Sequence, residues 1–322
     1  MCFSPTSQSP SCPIFEGPPD DASVVDVVDA AVIIPDATVD AGNVTTLASG
    51  LDDANAIVVD TTTVYWTSKY RFAERCAKTG CNNTPTVIAN SPSASAVEGI
   101  VVDSSFVYTS STNFIERCPI GGCSVPTILG FTGVVRALAL DGLTLYWGDL
   151  SGSISSCATA GCGNNPTIVG TGSGFPAGLA LDSTDVYWTS STAGNVYKCP
   201  KTGCSGSPTI VASNQTFLQG IAVDSTALYW ADGSAVLTCS KSNCVPTALV
   251  SNQTAPTSIV LDGANVYWTD TLAGTIMKCA KTGCGGNATV IAAGQTDLRK
   301  LAIDATTAYW TVKTAVRSAP LN

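Results

Sequence analysis

Ile221-Ala222-Val223-Asp224-Ser225-Thr226-Ala227-Leu228-Tyr229-Trp230 is one of seven copies of a single phrase. In each copy an apolar triplet ends in Asp, at Asp60, Asp103, Asp141, Asp182, Asp224, Asp262 and Asp304, and a Tyr stands five positions later. Trp follows that Tyr in six copies and accounts for all six Trp of the chain; the second copy carries Thr109 instead. Six copies continue into a C-x4-C pair: Cys76/Cys81, Cys118/Cys123, Cys157/Cys162, Cys199/Cys204, Cys239/Cys244 and Cys279/Cys284. A short β-branched run such as Pro208-Thr209-Ile210-Val211 comes after each pair, and the period is 38 to 43 residues.

A period of this length marks units that stack to bury faces none could bury alone. Each unit reads as four short strands: A before the Asp, B with Tyr-Trp, C ending at the first Cys, and D after the second. Adjacent Tyr and Trp point to opposite faces of a strand. Both faces are therefore covered, as in blades packed around a ring; a sandwich sheet would keep one polar face. The seventh unit has strands A and B and a strand C from Thr314 to Ser318, then ends without cysteines. Asn43-Val44-Thr45-Thr46-Leu47-Ala48 resembles the strand D at Ala288-Thr289-Val290-Ile291-Ala292-Ala293. The expected fold is an all-β, seven-bladed β-propeller over residues 43–322, its last blade closed by the N-terminal strand. Closure removes the open sheet edges that invite aggregation.

Residues 1–42 stand outside the repeat. They hold seven acidic residues and no Lys or Arg, and a Ser/Pro-rich piece from Ser4 to Pro19 leads into an Asp/Ala/Val stretch, so they read as an extended acidic linker. The doublets Val24-Val25 and Val27-Val28 and the triplet Val32-Ile33-Ile34 suggest docking or self-assembly through this tail. Cys2 reads either as a lipid-bearing cysteine or as the partner of Cys12. Net charge is −9, yet beyond the tail 15 basic and 17 acidic groups nearly balance, so no concentrated basic face is expected for nucleic acid. No apolar run reaches the roughly 18–20 residues of a membrane span, and no basic-then-apolar leader is visible. The 14 cysteines point to an oxidising place, either secreted or at a cell surface. Histidine is absent, which removes the usual general base and the commonest metal ligand.

Before the second Cys stands Gly80, Gly122, Gly161, Gly203, Asn243 or Gly283, residue types that tolerate positive φ. A four-residue hairpin loop with its last position left-handed would set the cysteines at disulfide range. Each closure would stabilise its blade by roughly 2 kcal/mol if chain entropy governs. Zinc is the rival, but C-x4-C is not the zinc-knuckle spacing, and one pair per blade cannot converge into a four-sulfur site.

Tyr267-Trp268-Thr269-Asp270 resembles the YWTD-type β-propellers, with looser kinship to the NHL group. Tyr146-Trp147-Gly148-Asp149 and Tyr229-Trp230-Ala231-Asp232 are near matches, and the resemblance spans residues 43–319. Receptor-type YWTD propellers have six blades, four units here lack the motif's Asp, and a disulfide in every complete blade is foreign to that family. The pattern is closer to propeller repeats of secreted bacterial lipoproteins. The resemblance implies a fold and a habit of binding other molecules, and carries no catalytic residue.

Loop lengths mark the working face. Asp to Tyr and Cys to Cys are each always five positions, whereas Tyr to the first Cys varies from 10 to 12 and the second Cys to the next Asp from 18 to 22. Those variable intervals contain the B–C and D–A loops, which share one face of the disc, and variable loops on a rigid scaffold commonly carry binding. Two positions before each strand A stand Asn55, Glu98, Arg136, Ala177, Gln219, Thr257 and Arg299; the next residue is small except for Lys300. Asn55, Glu98, Arg136, Gln219, Thr257, Arg299 and Lys300 are read as a polar ligand-binding ring at the channel mouth, with drift of exposed positions as the plain alternative. Asp149, Asp232 and Asp270 open B–C loops on this face, either holding a cation such as calcium or shaping turns. The seven repeated Asp lie on the opposite, constant face as turn caps. Asn43, Asn82, Asn214, Asn252 and Asn287 fit N-x-S/T. The function expected is a binding scaffold for a glycan, peptide or protein, without a cofactor. The alternatives are a metal-dependent, lactonase-like hydrolase, with Glu98 and Asn55 near a calcium, and a structural subunit assembled through the tail.

Overall fold

The computed structural model describes residues 43–69, 71–90 and 99–321. The expectations for Cys2, Cys12, the rest of the tail, and Glu98 fall outside them. The described residues form 28 strands in seven four-stranded antiparallel sheets, without α-helix. The first full blade is typical: β2 (Ile57–Val59), β3 (Thr63–Ser68), β4 (Arg71–Ala77) and β5 (Thr86–Asn90) follow one another in space as in sequence. The last blade holds β26 (Leu298–Ile303), β27 (Thr307–Val312) and β28 (Ala315–Pro320). Its fourth strand is β1 (Thr45–Ser49), paired antiparallel with β28 from Thr45↔Ser318 to Ser49↔Ala315. The expected closure is present, and it joins the two ends of the domain without a covalent link.

Adjacency of Tyr and Trp decides how blades meet. Trp66 packs with Leu47, Ala302 and Tyr309 of the preceding blade, while Tyr65 faces Ile100 and Val107 of the next. The core is thus seven wedges, one per blade interface, each built on the Tyr of one blade. In six of them the Trp of the following blade completes the wedge, and these Trp are at most 1% exposed. The interface between the first two full blades has Thr109 in that place.

The fixed Asp-to-Tyr spacing also has a geometric cause. Asp60 Oδ1 accepts the N–H groups of Thr62 and Thr63, both at 2.7 Å, and Oδ2 accepts the Tyr65 hydroxyl at 2.8 Å. The same three bonds recur at Asp103, with Tyr108 at 2.7 Å, and at Asp262, with Tyr267 at 2.6 Å. The third copy departs. Gly142 takes φ 55°, the ladder runs on to Asp141↔Thr144, and the Asp141 carboxylate turns instead to Lys201 of the next blade at 2.5 Å.

All six disulfides form, Cys239–Cys244 and Cys279–Cys284 included, with Cα–Cα distances from 4.9 to 5.8 Å. The four-residue hairpin expected around them does not. Strand pairing closes at Arg75↔Thr86, so Cys81 sits inside a longer connection and not at the foot of β5. The fifth and sixth blades repeat the departure: pairing closes at Thr238↔Thr247 and Lys278↔Thr289, which leaves Cys244 and Cys284 outside their ladders. The five glycines before the second Cys take φ between 97° and 111° as expected, but Asn243, before Cys244, is not among the positive-φ residues.

The second Cys reaches across to the preceding blade. In four blades its N–H donates to an outer-strand carbonyl there: Cys81 to Leu47 at 3.4 Å, Cys123 to Ile88 at 3.0 Å, Cys162 to Leu129 at 3.4 Å and Cys204 to Val169 at 3.0 Å. Among the described residues Cys244 and Cys284 make no such bond and meet their neighbour by packing. Cys244 lies against the wedge of Tyr187 and Ala212, and Cys284 against that of Tyr229 and Leu249. Freed from the ladder, the short covalent loop can lie under its neighbour. Where it donates, it satisfies a carbonyl that an outer strand would otherwise leave to water.

Candidate functional site

On the constant face, a cationic contact crosses every blade interface. Lys78 pairs with Asp304 at 2.7 Å, Lys201 with Asp141 and Lys241 with Asp182 at 2.5 Å, and Lys281 with Asp224 at 3.0 Å. Ile120, Thr159 and Leu321 occupy the lysine's place in the remaining three interfaces. There Arg75, Arg117 and Lys278 of the preceding blade donate to those residues' carbonyls, at 2.8, 2.6 and 2.8 Å. Burial opposes ionisation of Asp304, but Lys78, the turn N–H of Thr306 and the Tyr309 hydroxyl outweigh it and hold the carboxyl at about 2. Burial and the bond to Asp304 push Tyr309 up to about 12. Asp182 and Asp224 are held lower still against the same burial, by Lys241 and Lys281 together with their turn amides. These carboxylates are spent on structure, in line with the turn-cap reading.

On the opposite face, the D–A loops are held by both blades they join. Gln215 N–H donates to Gly194 O at 3.0 Å, and its side-chain oxygen accepts Trp230 Nε1 of the following blade at 3.2 Å. Gln253 and Gln295 do the same for Trp268 and Trp310, at 2.9 and 3.0 Å. The N-x-T matches at Asn214 and Asn252 belong to this device: they take φ 58° and 60°, and Gly294 takes 68° at the equivalent place. The repeated Gln-Thr at 215–216, 253–254 and 295–296 was the signal in the sequence. Only the three-dimensional path explains why a Gln stands 15 positions before a Trp.

Asp232 and Asp270 complete the loops. Asp232 accepts the N–H and hydroxyl of Thr216 at 2.8 and 2.9 Å. Asp270, 3% exposed, accepts Thr254 N–H at 2.7 Å, the Thr254 hydroxyl, and Ala255 N–H at 2.9 Å. Asp149 accepts the N–H of Ser151 at 2.8 Å and its hydroxyl. All three carboxylates engage loop donors, as turn-shaping residues do.

The ring before strand A divides. Arg136, Ala177, Gln219 and Lys300 line a cavity of about 270 Å³ at the mouth, with Leu150, Phe175, Pro176 and Ser191. Arg299 instead pairs with Asp53 at 2.6 Å, and the Thr257 hydroxyl meets that of Thr269 at 2.7 Å. The backbone carbonyl of Asn55 accepts the Thr311 hydroxyl of the neighbouring blade at 2.5 Å. Below the mouth, a channel of about 200 Å³ is lined by the small residues that follow the ring. Their size reflects blade contact more than ligand access. A Cβ on Gly220 would lie 2.4 Å from Thr257 O, whose carbonyl already accepts Gly220 N–H at 2.9 Å.

Two aromatics that the repeat did not single out stand on this face. Phe175 is 44% and Phe217 79% exposed, and Phe217 holds φ 48°. A bulky side chain at positive φ is a steric outlier. Phe217 walls a second cavity of about 350 Å³ beside Gln219, with Gly233, Pro256 and Thr257. Their clue lay in composition, as lone Phe residues in D–A loops otherwise rich in Ser, Gly, Asn and Thr.

The chain matches no family model and no curated protein sequence. Solved structures resemble it in fold. Virginiamycin B lyase from Staphylococcus aureus superposes with TM-score 0.73 at 12% identity, covering 86% of this chain and 98% of that one. The WD40 β-propeller domain of Doa1 gives 0.72 at 12%, covering 86% and 96%. A chain of the nidogen/laminin complex gives 0.54 at 20%, covering 65% and 86%. At such identities the likeness establishes a β-propeller and leaves activity open.

Proposed function

We propose that this protein is an extracytoplasmic binding scaffold that holds a peptide or protein ligand, through an acidic group and neighbouring apolar side chains, on its variable face. The carrying observation is the mouth itself. Arg136 is exposed and lines the cavity with Lys300, while Phe175 and Phe217 stand exposed beside it. Exposed aromatics next to Arg are the composition of binding hot spots, and strain held at an exposed Phe fits a functional position better than a structural one. Six disulfides in one domain support an oxidising location outside the cytoplasm.

The hydrolase reading has less support, because Arg136 puts positive charge where a calcium would sit. Lyase chemistry has less again. A histidine-to-alanine variant of virginiamycin B lyase is catalytically inactive, and this chain has no histidine. The test is a peptide-display and glycan-array screen, repeated with Arg136→Ala and Phe217→Ala proteins whose melting temperatures are unchanged. Acidic peptide hits lost in both variants support the reading. Hits indifferent to both, or confined to neutral glycans, defeat it.

A further inference from the structure

We propose that the interface between the first two full blades holds a monovalent cation, sodium or potassium, on the oxygens of Glu116, Thr109 and Ser111. The first blade displays the geometry of these positions. Trp66 lies opposite Glu74 in the ladder, and Glu74 Oε2 accepts Trp66 Nε1 at 3.1 Å and the Ser68 hydroxyl at 2.6 Å. Two side chains on one face of a blade therefore converge on one carboxylate.

The second blade keeps the acid and the serine and changes the third residue. Thr109 lies opposite Glu116, and Ser111, just past the end of that strand, holds the place that Ser68 has in the first blade. Thr109, Ser111 and Glu116 are each at most 1% exposed. Thr109 Oγ1, Ser111 Oγ and both carboxylate oxygens of Glu116 make no hydrogen bond. Native interiors rarely leave even one such atom unsatisfied, and where several cluster an ion or water is the usual reason.

The donor set selects among ions. Carboxylate and hydroxyl oxygens suit hard cations. Glu116 contributes a single negative charge, and its surroundings are apolar, with Tyr65, Ile100 and Val107 in the same wedge. A monovalent ion balances the single charge of that carboxylate. A divalent ion would leave a net charge buried, which is costly. Burial pushes the Glu116 carboxyl up from its ordinary value. In this reading the missing Trp is the site's origin: oxygen ligands occupy a face where the other blades place an indole.

The experiment is thermal unfolding of the full-length, disulfide-intact protein at constant ionic strength, exchanging N-methylglucamine chloride for sodium, potassium or calcium chloride. Melting should rise with the logarithm of the sodium or potassium concentration, by roughly 2–3 °C per tenfold above the dissociation constant. Glu116→Gln should abolish the rise. Thr109→Trp should abolish it too while melting higher in N-methylglucamine, because the indole N–H would satisfy Glu116 as Trp66 satisfies Glu74. If Glu116→Gln fails to fold, Thr109→Trp and sodium-23 relaxation of the unaltered protein, competed by potassium, decide the matter. Equal melting in every salt, a response only to calcium, or a sodium response that survives in Thr109→Trp would overturn the proposal.

Discussion

Leu47 and Leu129 form a matched pair on which the closure of the ring can be tested. Each is 2% exposed, and each carbonyl accepts a Cys N–H of the following blade, from Cys81 and Cys162 respectively. They differ in what holds their strand. Leu129 lies on an outer strand whose link to its own blade carries the Cys118–Cys123 clip, whereas Leu47 lies on β1, joined to β28 by hydrogen bonds alone. Truncation to Ala removes three buried carbons at either site and should cost about 2–5 kcal/mol. For a domain of about 280 residues, that lowers melting by roughly 4–8 °C. The two should part in local stability. A six-residue disulfide loop is worth about 2 kcal/mol in chain entropy, a constraint β1 lacks. Leu47→Ala should therefore open β1 and β28 well below the global unfolding free energy, and Leu129→Ala should not open its own blade early. Native-state hydrogen exchange of the β28 amides, with limited proteolysis near residue 50, reads the difference. Identical exchange profiles for the two variants would refute the argument that closure is the weakest joint.

Acid should weaken the fold in a defined window. The carboxyls of Asp60, Asp103, Asp182, Asp224, Asp262 and Asp304 lie below their ordinary value when folded. Their stabilisation is therefore complete above about pH 4 and is lost as pH falls through about 2, where Asp262 and Asp304 protonate. Melting should be flat from pH 7 to 5 and fall between 4 and 2, with Asp304 contributing on the order of 1 kcal/mol after solvent screening. Phe217→Gly should raise stability by about 1 kcal/mol, because glycine accepts the positive φ without strain, while weakening ligand capture at the mouth. Calorimetry and the display screen read the two effects, and a loss of stability would remove the strain argument. Reducing the disulfides under native conditions should lower melting without altering the far-UV spectrum at 25 °C, since the wedges of Tyr and Trp remain.

Strand order, blade number and ring closure were legible because each follows from a repeated residue with a local cause. In six copies the Tyr five after Asp places its hydroxyl on that carboxylate, and Tyr-Trp adjacency alone forces both blade faces to be covered. What escaped the sequence was whatever crosses between blades. C-x4-C spacing gave the bond but not its reach, so Cys81 was expected beneath β5 and was found against Leu47. Cys244 and Cys284 were likewise expected at the foot of their own outer strands and lie against the blade before. Asn243 fits the expected left-handed turn by type and not by conformation. At the mouth, seven equivalent positions looked alike, yet Arg299 is taken by Asp53 while Arg136 lines the opening. Phe217 stood out only as a lone Phe in a polar loop; its exposure and positive φ follow from the loop's path.

Five of the six cysteine loops lean onto the blade made just before their own, and the first leans, through β1, onto the blade made last. The ring is thus laid like overlapping roof tiles: a newly folded unit locks its predecessor, and order of synthesis becomes order of sealing. The first unit has no predecessor when it forms, so the carbonyl-seeking N–H of Cys81 must wait for β1 to be drawn in beside the last. A circular permutant cut between two inner blades would turn one internal overlap into the terminal seam and make the present seam continuous. Moving the cut should therefore move the site of earliest opening around the disc while leaving the binding mouth unchanged.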